Sequence, residues 1–460
     1  MRATVEHERK LDAPIGFQLP ELGGSPLEPR LFTSVYYDTP PGSLAASGIT
    51  LRRRTEHGRA LWQLKLPSDD ARLELELEGG PARVPQEFLD LLHAHLRQGE
   101  LERVAELRTR RRGERVARDG TTAEVTVDEV AVMDALRVRD RFVEVEIELR
   151  AGRPADLDLL VAELSGAGAE PGSGVPKLFR AIGREPETGP ADDTPFEKLR
   201  SRLRAQLREI ERHDPGTRLG RDPESLHDMR VGARRLGALL RAGRPLVATD
   251  TGELESRLKG LGRVLGDVRD LDVLLERLQG EARELGEPDA TQAKALLGTL
   301  SRQRAAKRRQ LLALLNSTTY LALLDDIGAT IDSLRPSGAD VTLGDLATKA
   351  GAKLRKAVAA LPPEPADDEL HAVRKAGKRA RYAAELADRK KVVRRAKALQ
   401  DVLGEHQDAV VAAERLRELA MKAPVEQALP AGRLVEREEE RRAAARRQWS
   451  KAWKRLRTSL

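Results

Sequence analysis

The chain has 460 residues, of which 81 are Lys or Arg and 74 are Asp or Glu, leaving a formal net charge of only +7. It contains no Cys, which excludes a disulfide framework, a thiolate nucleophile and thiolate metal sites. No apolar run approaches the roughly 20 residues of a membrane span, and the first residues carry no apolar signal core, so a cytoplasmic protein is expected. The length suggests two or three domains. Residues 1–190 hold 27 basic and 33 acidic side chains, whereas residues 191–460 hold 54 and 41. A mildly acidic module therefore precedes a strongly basic one. The Pro- and acid-rich stretch 186–195 reads as a linker between a domain at 1–185 and another at 196–460.

The first domain alternates with period 2, the strand signature. Candidate strands, in chain order, cover residues 6–10, 32–37, 49–54, 61–66, 72–78, 107–112, 123–130 and 142–149. Residues 85–97 and 155–164 read as helices. Short turns join most strands, so an antiparallel barrel of about eight strands with flanking helices is expected. A solvated polar face ordinarily mixes residue types, but here the faces segregate by sign. Glu6/Glu8, Glu74/Glu76 and Glu144/Glu146 are acidic, while Arg52/Arg54, Lys65 and Arg108/Arg110 are basic. If these faces line a lumen, two chemistries meet in one cavity. Carboxylates are hard oxygen ligands for Mg²⁺ or Mn²⁺. Arg and Lys hold phosphate oxygens. No catalytic base stands out.

Several landmarks occur in order: Glu6-x-Glu8-x-Lys10, Tyr36-Tyr37-Asp38-Thr39, Leu51-Arg52-Arg53-Arg54, Gln63-Leu64-Lys65, Arg72-x-Glu74-x-Glu76, Arg108-x-Arg110, Asp128 and Phe142-Val143-Glu144-Val145-Glu146. Together they resemble the CYTH domains, the triphosphate tunnel metalloenzymes. The resemblance implies an eight-stranded tunnel that binds a triphosphate through a divalent metal. Carried over by position, Glu6, Glu8, Glu144 and Glu146 would hold metal. Lys10, Arg52, Arg54, Lys65, Arg108, Arg110 and Lys177 would hold phosphate. The implied reaction is metal-assisted attack of water on a terminal phosphoryl group, with inorganic triphosphate favoured because no adenine or thiamine site is recognisable.

From Phe196 onward the pattern is helical and contains an internal repeat. Leu226-His227-Asp228-Met229-Arg230 … Arg234-Arg235 matches Leu370-His371-Ala372-Val373-Arg374 … Lys378-Arg379 at an offset of 144. Val264-Leu265-Gly266-Asp267 … Asp270 matches Val402-Leu403-Gly404-Glu405 … Asp408 at an offset of 138. The repeat indicates two copies of one helical unit, at about 196–335 and 346–460. At about 100° per residue, Arg230, Arg234 and Arg235 share the side of His227. Leu226, Met229, Ala233, Leu236 and Leu240 take the other side. In the second copy His371, Arg374, Lys375, Lys378, Arg379 and Tyr382 oppose Leu370, Val373, Ala380 and Ala384. Ordinary amphipathic helices offset cations with acids three or four residues away. Neither stripe does so, which points to a bound anion. A histidine recurring in both stripes is a further candidate anion ligand that titrates near neutral pH.

Nucleic acid is one candidate polyanion. Single-strand binders offer aromatic stacking platforms, but this half has only five aromatic residues. The duplicated His-x-x-Arg-x-x-x-Arg/Lys-Arg helices resemble CHAD domains, conserved-histidine α-helical domains that bind inorganic polyphosphate. The resemblance implies two pseudo-symmetric bundles around a basic groove, with polyphosphate granules as a place of association. The expected protein hydrolyses triphosphate or short polyphosphate in its tunnel and binds long polyphosphate on its helices. The rival is a module that binds polyphosphate without turnover. The tail from Glu436 reads as a helix whose Trp449 and Trp453 share a face and dock on the bundle.

Overall fold

The computed structural model describes residues 1–68, 71–80, 83–172, 177–183 and 194–460. The expected linker 186–195 falls almost wholly outside them. The chain divides into two units, Met1–Thr188 and Gly189–Leu460.

The first unit is built on one antiparallel sheet. Its strands are β1 (Arg2–Glu6), β2 (Glu8–Ala13), β3 (Ser25–Pro26), β4 (Arg30–Asp38), β5 (Thr50–Glu56), β6 (Arg59–Ser68), β7 (Ala71–Glu78), β8 (Glu102–Arg118), β9 (Thr121–Asp134), β10 (Arg137–Ala151) and β11 (Glu170–Pro171). Their order is β1-β7-β6-β5-β4-β8-β9-β10-β2-β11, with β3 on β8. Apart from the two-residue β11 added to β2, the two ends of this path are one run of chain. The expected first strand breaks at His7, so that β1 pairs with β7 and β2 pairs with β10. The His7 carbonyl accepts the Leu149 N–H at 2.9 Å across the break. That break closes the sheet into a barrel and removes both edges, which would otherwise invite pairing with other chains. The β5–β6 and β8–β9 hairpins turn on His57-Gly58 and Asp119-Gly120, with positive φ at both residues of each. This is the backbone hand that matches strand twist.

Alternation then sorts the side chains. Val125, Val127, Val143, Val145 and Ile147 point outward and pack under Leu157, Leu160 and Leu164. These leucines belong to α4 (Leu157–Gly166), which follows the short helices α1 (Ser43–Ala46), α2 (Gln86–Leu91) and α3 (His93–Leu96). The barrel's core thus lies outside it, and its polar faces line the lumen. One end differs. The inward positions Tyr36, Leu107, Val130, Val132 and Phe142 are apolar there. They pack against Leu178 and Ala181 of α5 (Lys177–Ile182), a helix that plugs that end.

The second unit is all helical among the described residues. It comprises α6 (Pro195–Leu219), α7 (Pro223–Gly243), α8 (Gly252–Arg283), α9 (Asp289–Leu315), α10 (Thr318–Ser333), α11 (Leu343–Ala359), α12 (Asp367–Leu386), α13 (Lys390–Ala420) and α14 (Ala428–Arg457). Pro195 and Pro223 stand at the first helical positions of α6 and α7. Thr194 and Asp222 cap those helices through side-chain oxygens. The repeat maps α7 onto α12 and α8 onto α13. Consecutive helices pack within each copy, and α7 packs on α12 across the copies. A leucine seam from α8, α9, α13 and α14 joins the copies. The tail helix docks as expected: Trp453 is buried, and Trp449 packs beside it against Leu354, Leu399 and Leu403. No helix among the described residues is long and apolar enough to cross a membrane.

Trp453→Ala should cost about 3 kcal/mol or more, the usual cost of emptying a buried indole site. Thermal unfolding followed by circular dichroism should show the helical unit melting earlier, with the barrel transition unmoved.

Candidate functional site

The barrel encloses a cavity of about 1570 Å³. Of the residues expected at a site, Glu6, Glu8, Lys10, Arg52, Arg54, Lys65, Glu146 and Lys177 line it. Glu144 faces the same way but lies beneath Lys10 and Lys177, only 2% exposed. Arg108 and Arg110 are not brought there. Both are exposed on the outer face of β8, and Arg111 lines the cavity in their place. The reason is the plugged end. Leu107 and Thr109 share the inward parity of Arg111, and the inward face is apolar where α5 fills the barrel. Assigning every apolar residue to the outside therefore inverts this strand.

The cavity has three charge regions. In the first, Lys10 Nζ lies 2.8 Å from Glu146, 3.4 Å from Glu144 and 3.6 Å from Glu8. Lys177 Nζ lies 2.5 Å from Asp128, 2.9 Å from Glu146 and 3.2 Å from Glu144. Arg111 grips both oxygens of Asp128 at 2.7 and 2.6 Å and also reaches Glu146. Burial opposes the charge on Lys10, but Glu146, Glu144 and Glu8 overrule it and raise its pKa. The Glu146 carboxyl meets the same burial penalty, and Lys10, Lys177 and Arg111 hold it well below the usual carboxylate range.

The second region is cation-rich. Arg52 bonds Gln63 at 2.9 Å and the Tyr36 hydroxyl at 3.3 Å. Arg54 stacks 3.5 Å above the Phe32 ring and reaches Glu56 at 2.9 Å. Burial first, then the charges of Arg52 and Arg30, push Arg54 down to about 10. Cations there outnumber what Glu56 can balance.

The third region is acid-rich. Lys65 lies 2.6 Å from Glu6 and 3.6 Å from Glu74. Burial and the neighbouring Glu74 raise the Glu6 pKa. Burial, with Glu6 and Glu124 nearby, pushes Glu148 up to about 7. The buried Oε1 of Glu74 has Lys65 at 3.6 Å and no hydrogen-bond partner among the described residues. Oxygen-only donors crowded together in this way fit a hard divalent cation. Among the described residues no three such groups already form a closed cage. Most of these carboxylates lean instead on a lysine or arginine. Glu74, Arg111, Asp128 and Glu148 carry much of this geometry; the sequence placed Glu74 on an acidic face and Asp128 among its landmarks, but assigned none of the four as a ligand. The β8–β9 hairpin sets Arg111 directly opposite Asp128, so pairing across its turn from that landmark would have found Arg111.

In the helical unit the apolar residues expected on α7 and α12 are all buried. The two stripes meet where those helices pack. Burial and neighbouring cations, Arg234 among them, lower the pKa of Arg230, Arg374 and Lys378, with Arg381 as a neighbour the sequence did not single out. The second repeated motif explains how the arginines are held. Arg230 lies 3.0 Å from Asp270, and Asp408 faces Arg374. A Cβ on Gly266 would stand 3.3 Å from the Arg230 guanidinium, and one on Gly404 at 3.3 Å from that of Arg374. Glycine makes room for the arginine in both copies. Arg235 turns toward Glu385 at 3.9 Å, and Lys375 and Arg379 are exposed. Tyr382, expected on the basic side, is buried. Burial and neighbouring cations lower both histidines, His227 beside Arg269 and His371 beside Lys375 and Arg374. Burial and Arg234 push Lys378 down to about 7. The groove is therefore a cluster of cations that disfavour one another's charge.

Comparison with known proteins agrees with both halves. The CYTH domain family model matches residues 4–179, and the CHAD domain model matches residues 201–417. Two uncharacterized proteins from Mycobacterium tuberculosis, of strains CDC 1551 / Oshkosh and ATCC 25618 / H37Rv, are each 31% identical over 91% of this chain and 89% of theirs. Among solved structures, PptA from Streptomyces chartreusis is 27% identical, with a TM-score of 0.49 over 56% of this chain and 99% of its own. The CHAD domain from the plant Ricinus communis is 28% identical, with a TM-score of 0.45 over 60% and 94%. The chain belongs to the family of proteins in which a CYTH domain is followed by a CHAD domain.

Proposed function

We propose that the barrel hydrolyses inorganic triphosphate or short polyphosphate, and that the helical unit binds long-chain inorganic polyphosphate. Membership of the CYTH and CHAD families supports a role connected with triphosphate or polyphosphate. The observation that carries the finer reading is the sorting of charge inside one closed cavity. Arg52 and Arg54, with Arg30 beside them, form a pole with too many cations, and Glu6, Glu74 and Glu148 form one with too many carboxylates. A phosphate chain satisfies the first pole. A divalent cation held by Glu6, Glu8 and Glu146 would neutralise and orient the terminal phosphoryl group for attack by water. Arg52 and Arg54 would hold the phosphates that leave together, while Lys10, Lys65, Arg111 and Lys177 fix the carboxylates and the attacked end. The products are orthophosphate and a chain one phosphate shorter. The helical groove has cations without a carboxylate pole, which suits binding rather than hydrolysis.

Phosphate release from inorganic triphosphate, measured with Mg²⁺, with Mn²⁺ and with neither, tests this reading. Release should require metal and fall at least about a hundredfold in Glu6→Ala, the size of effect that loss of one group stabilising transition-state charge produces. No release with either metal, together with Glu6→Ala binding triphosphate as the parent does, would leave a binding module without catalysis.

Arg111→Ala should weaken triphosphate binding about tenfold or more, because it removes a buried charged donor and leaves Asp128 and Glu146 less compensated. Arg108→Ala and Arg110→Ala should stay within about twofold. Titration calorimetry on the three variants decides between the faces of β8.

Lys378 gives a proton signature. Its pKa is about 7 in the free protein, and a bound polyanion favours its charged form. Polyphosphate binding should therefore take up protons above pH 7 and weaken as pH rises. Because the unfolded lysine titrates higher, the free helical unit should gain stability from pH 7 toward about 10. Lys378→Met should reduce the uptake, read as the dependence of binding enthalpy on buffer, with any remainder falling to His227 and His371.

A further inference from the structure

The internal repeat runs further than the two motifs above. Arg304-Ala305-Ala306-Lys307-Arg308-Arg309-Gln310 on α9 matches Arg442-Ala443-Ala444-Ala445-Arg446-Arg447-Gln448 on α14. The offset is 138, the one that relates α8 to α13. In both copies the second arginine of the pair holds main-chain carbonyls just ahead of the stripe helix. Arg308 donates to the carbonyls of Thr217 at 3.2 Å and Arg218 at 2.9 Å. Arg446 donates to the Pro365 carbonyl.

The copies differ in what lies between the two guanidiniums. In the second copy it is the carboxylate of Asp367, the first residue of α12. Arg442 donates to it at 3.2 and 2.5 Å, Arg446 donates at 2.7 Å, and His406 Nε2 lies 3.1 Å away. At the offset of 144 that relates α7 to α12, the first copy has Pro223 instead. No side-chain acceptor exists at that position. A cleft of about 580 Å³ opens there, lined by Arg221, Arg269, Arg304 and Arg308. Some of this charge is answered. Asp272 takes one N–H of Arg304 at 2.6 Å, and Arg269 reaches Glu224 at 2.8 Å. Asp222 and Glu276 also line the cleft, but so does a fifth arginine, Arg283. Cations remain in excess, on helix faces already spaced to hold an oxyanion.

We propose that this cleft is a second anion site of the helical unit, in which a phosphate group occupies the place that the Asp367 carboxylate holds in the second copy. Guanidinium pairs recognise carboxylate and phosphate oxygens through the same donor fork, so the filled copy shows what the open one accepts. The site rests on the reading of this unit as a polyphosphate binder and extends it. Arg269 lies close enough to His227 to act on its charge. A phosphate chain leaving the α7 stripe at His227 therefore meets Arg269 and then the Arg304–Arg308 pair. The grip on the chain is asymmetric, because the equivalent cradle in the second copy is already occupied.

The test copies one half of the protein into the other. Pro223→Asp gives the first copy its own internal carboxylate at a helix start, where an acid is welcome. Arg221→Glu reverses an exposed cation at the cleft mouth. Full-length proteins are titrated with long-chain inorganic polyphosphate in metal-free buffer at several salt concentrations. Each variant should bind about three- to tenfold more weakly. Each should also show a slope of log affinity against log salt shallower by about one phosphate contact. Pro223→Asp should melt no earlier than the parent. Both variants binding with unchanged affinity and slope would overturn the cleft while leaving the stripes intact. A parent protein that binds no polyphosphate would instead overturn the reading of the whole unit. Inorganic pyrophosphate then judges the cleft alone, since any contribution from the barrel is common to both proteins. Thermal stabilisation of the parent beyond that of Pro223→Asp keeps the site, and equal stabilisation of the two removes it.

Discussion

Like charges crowded into a partly dry space must be balanced, and the rest of this structure follows from how that is done. Two unit charges a few ångströms apart interact by about 4 kcal/mol at the effective dielectric of a protein margin. That is comparable to a large part of a domain's net stability. The barrel folds inward a dozen ionisable side chains that a surface would leave to water. Lys10, Lys177 and Arg111 survive there because Asp128, Glu144 and Glu146 are interleaved with them. The pairing is local and incomplete. It leaves one wall short of negative charge and the opposite wall short of positive charge.

The helical unit meets the same constraint without a lumen. Its cations stand on two helices that pack against each other, so the repeat that builds the fold also concentrates the charge. Asp270 and Asp408 restrain one arginine each, and Gly266 and Gly404 let those arginines lie flat on the neighbouring helix. Each copy brings one such carboxylate against several cations, so duplication enlarges the positive excess. Elsewhere in the unit a buried charge can be closely answered. Arg218, for example, is held by Asp214, Asn316 and the Leu315 carbonyl. Among the described residues the groove's cations have no such closed network around them.

Much of this was legible in the sequence, for physical reasons specific to each element. The alternation in β7 and β10 is unbroken because one face of each meets apolar residues and the other meets charge, so Glu6, Glu146 and Lys65 could be placed by counting. The helical stripes were legible because a repeated motif averages out chance. Legibility failed where the environment changes along an element. β8 runs for 17 residues, through an apolar plug and then a polar cavity, so its inward face changes character midway and Arg110 was read in place of Arg111. The helices α1 and α5 have four and six residues, too few for a periodicity. Whether a carboxylate is open to the cavity or covered by a lysine, as Glu144 is, depends on chain neighbours more than a hundred residues away. The break at His7 leaves no trace in the alternation, since both of its flanks point the same way.

That break has a consequence for how the molecule is made. Glu6 and Glu8 sit on either side of it, Glu6 opposite Arg72 and Glu8 opposite Glu148. The ring of strands cannot close until the first dozen residues have found both the middle and the end of the barrel sequence. Contacts that distant in the chain form late and slowly. The cavity's two walls are brought together by the same event, so until it happens the charges that define the site belong to separate surfaces. Ring closure and the appearance of the site are a single cooperative step. An incompletely folded barrel would carry every cavity-lining side chain and still have no cavity.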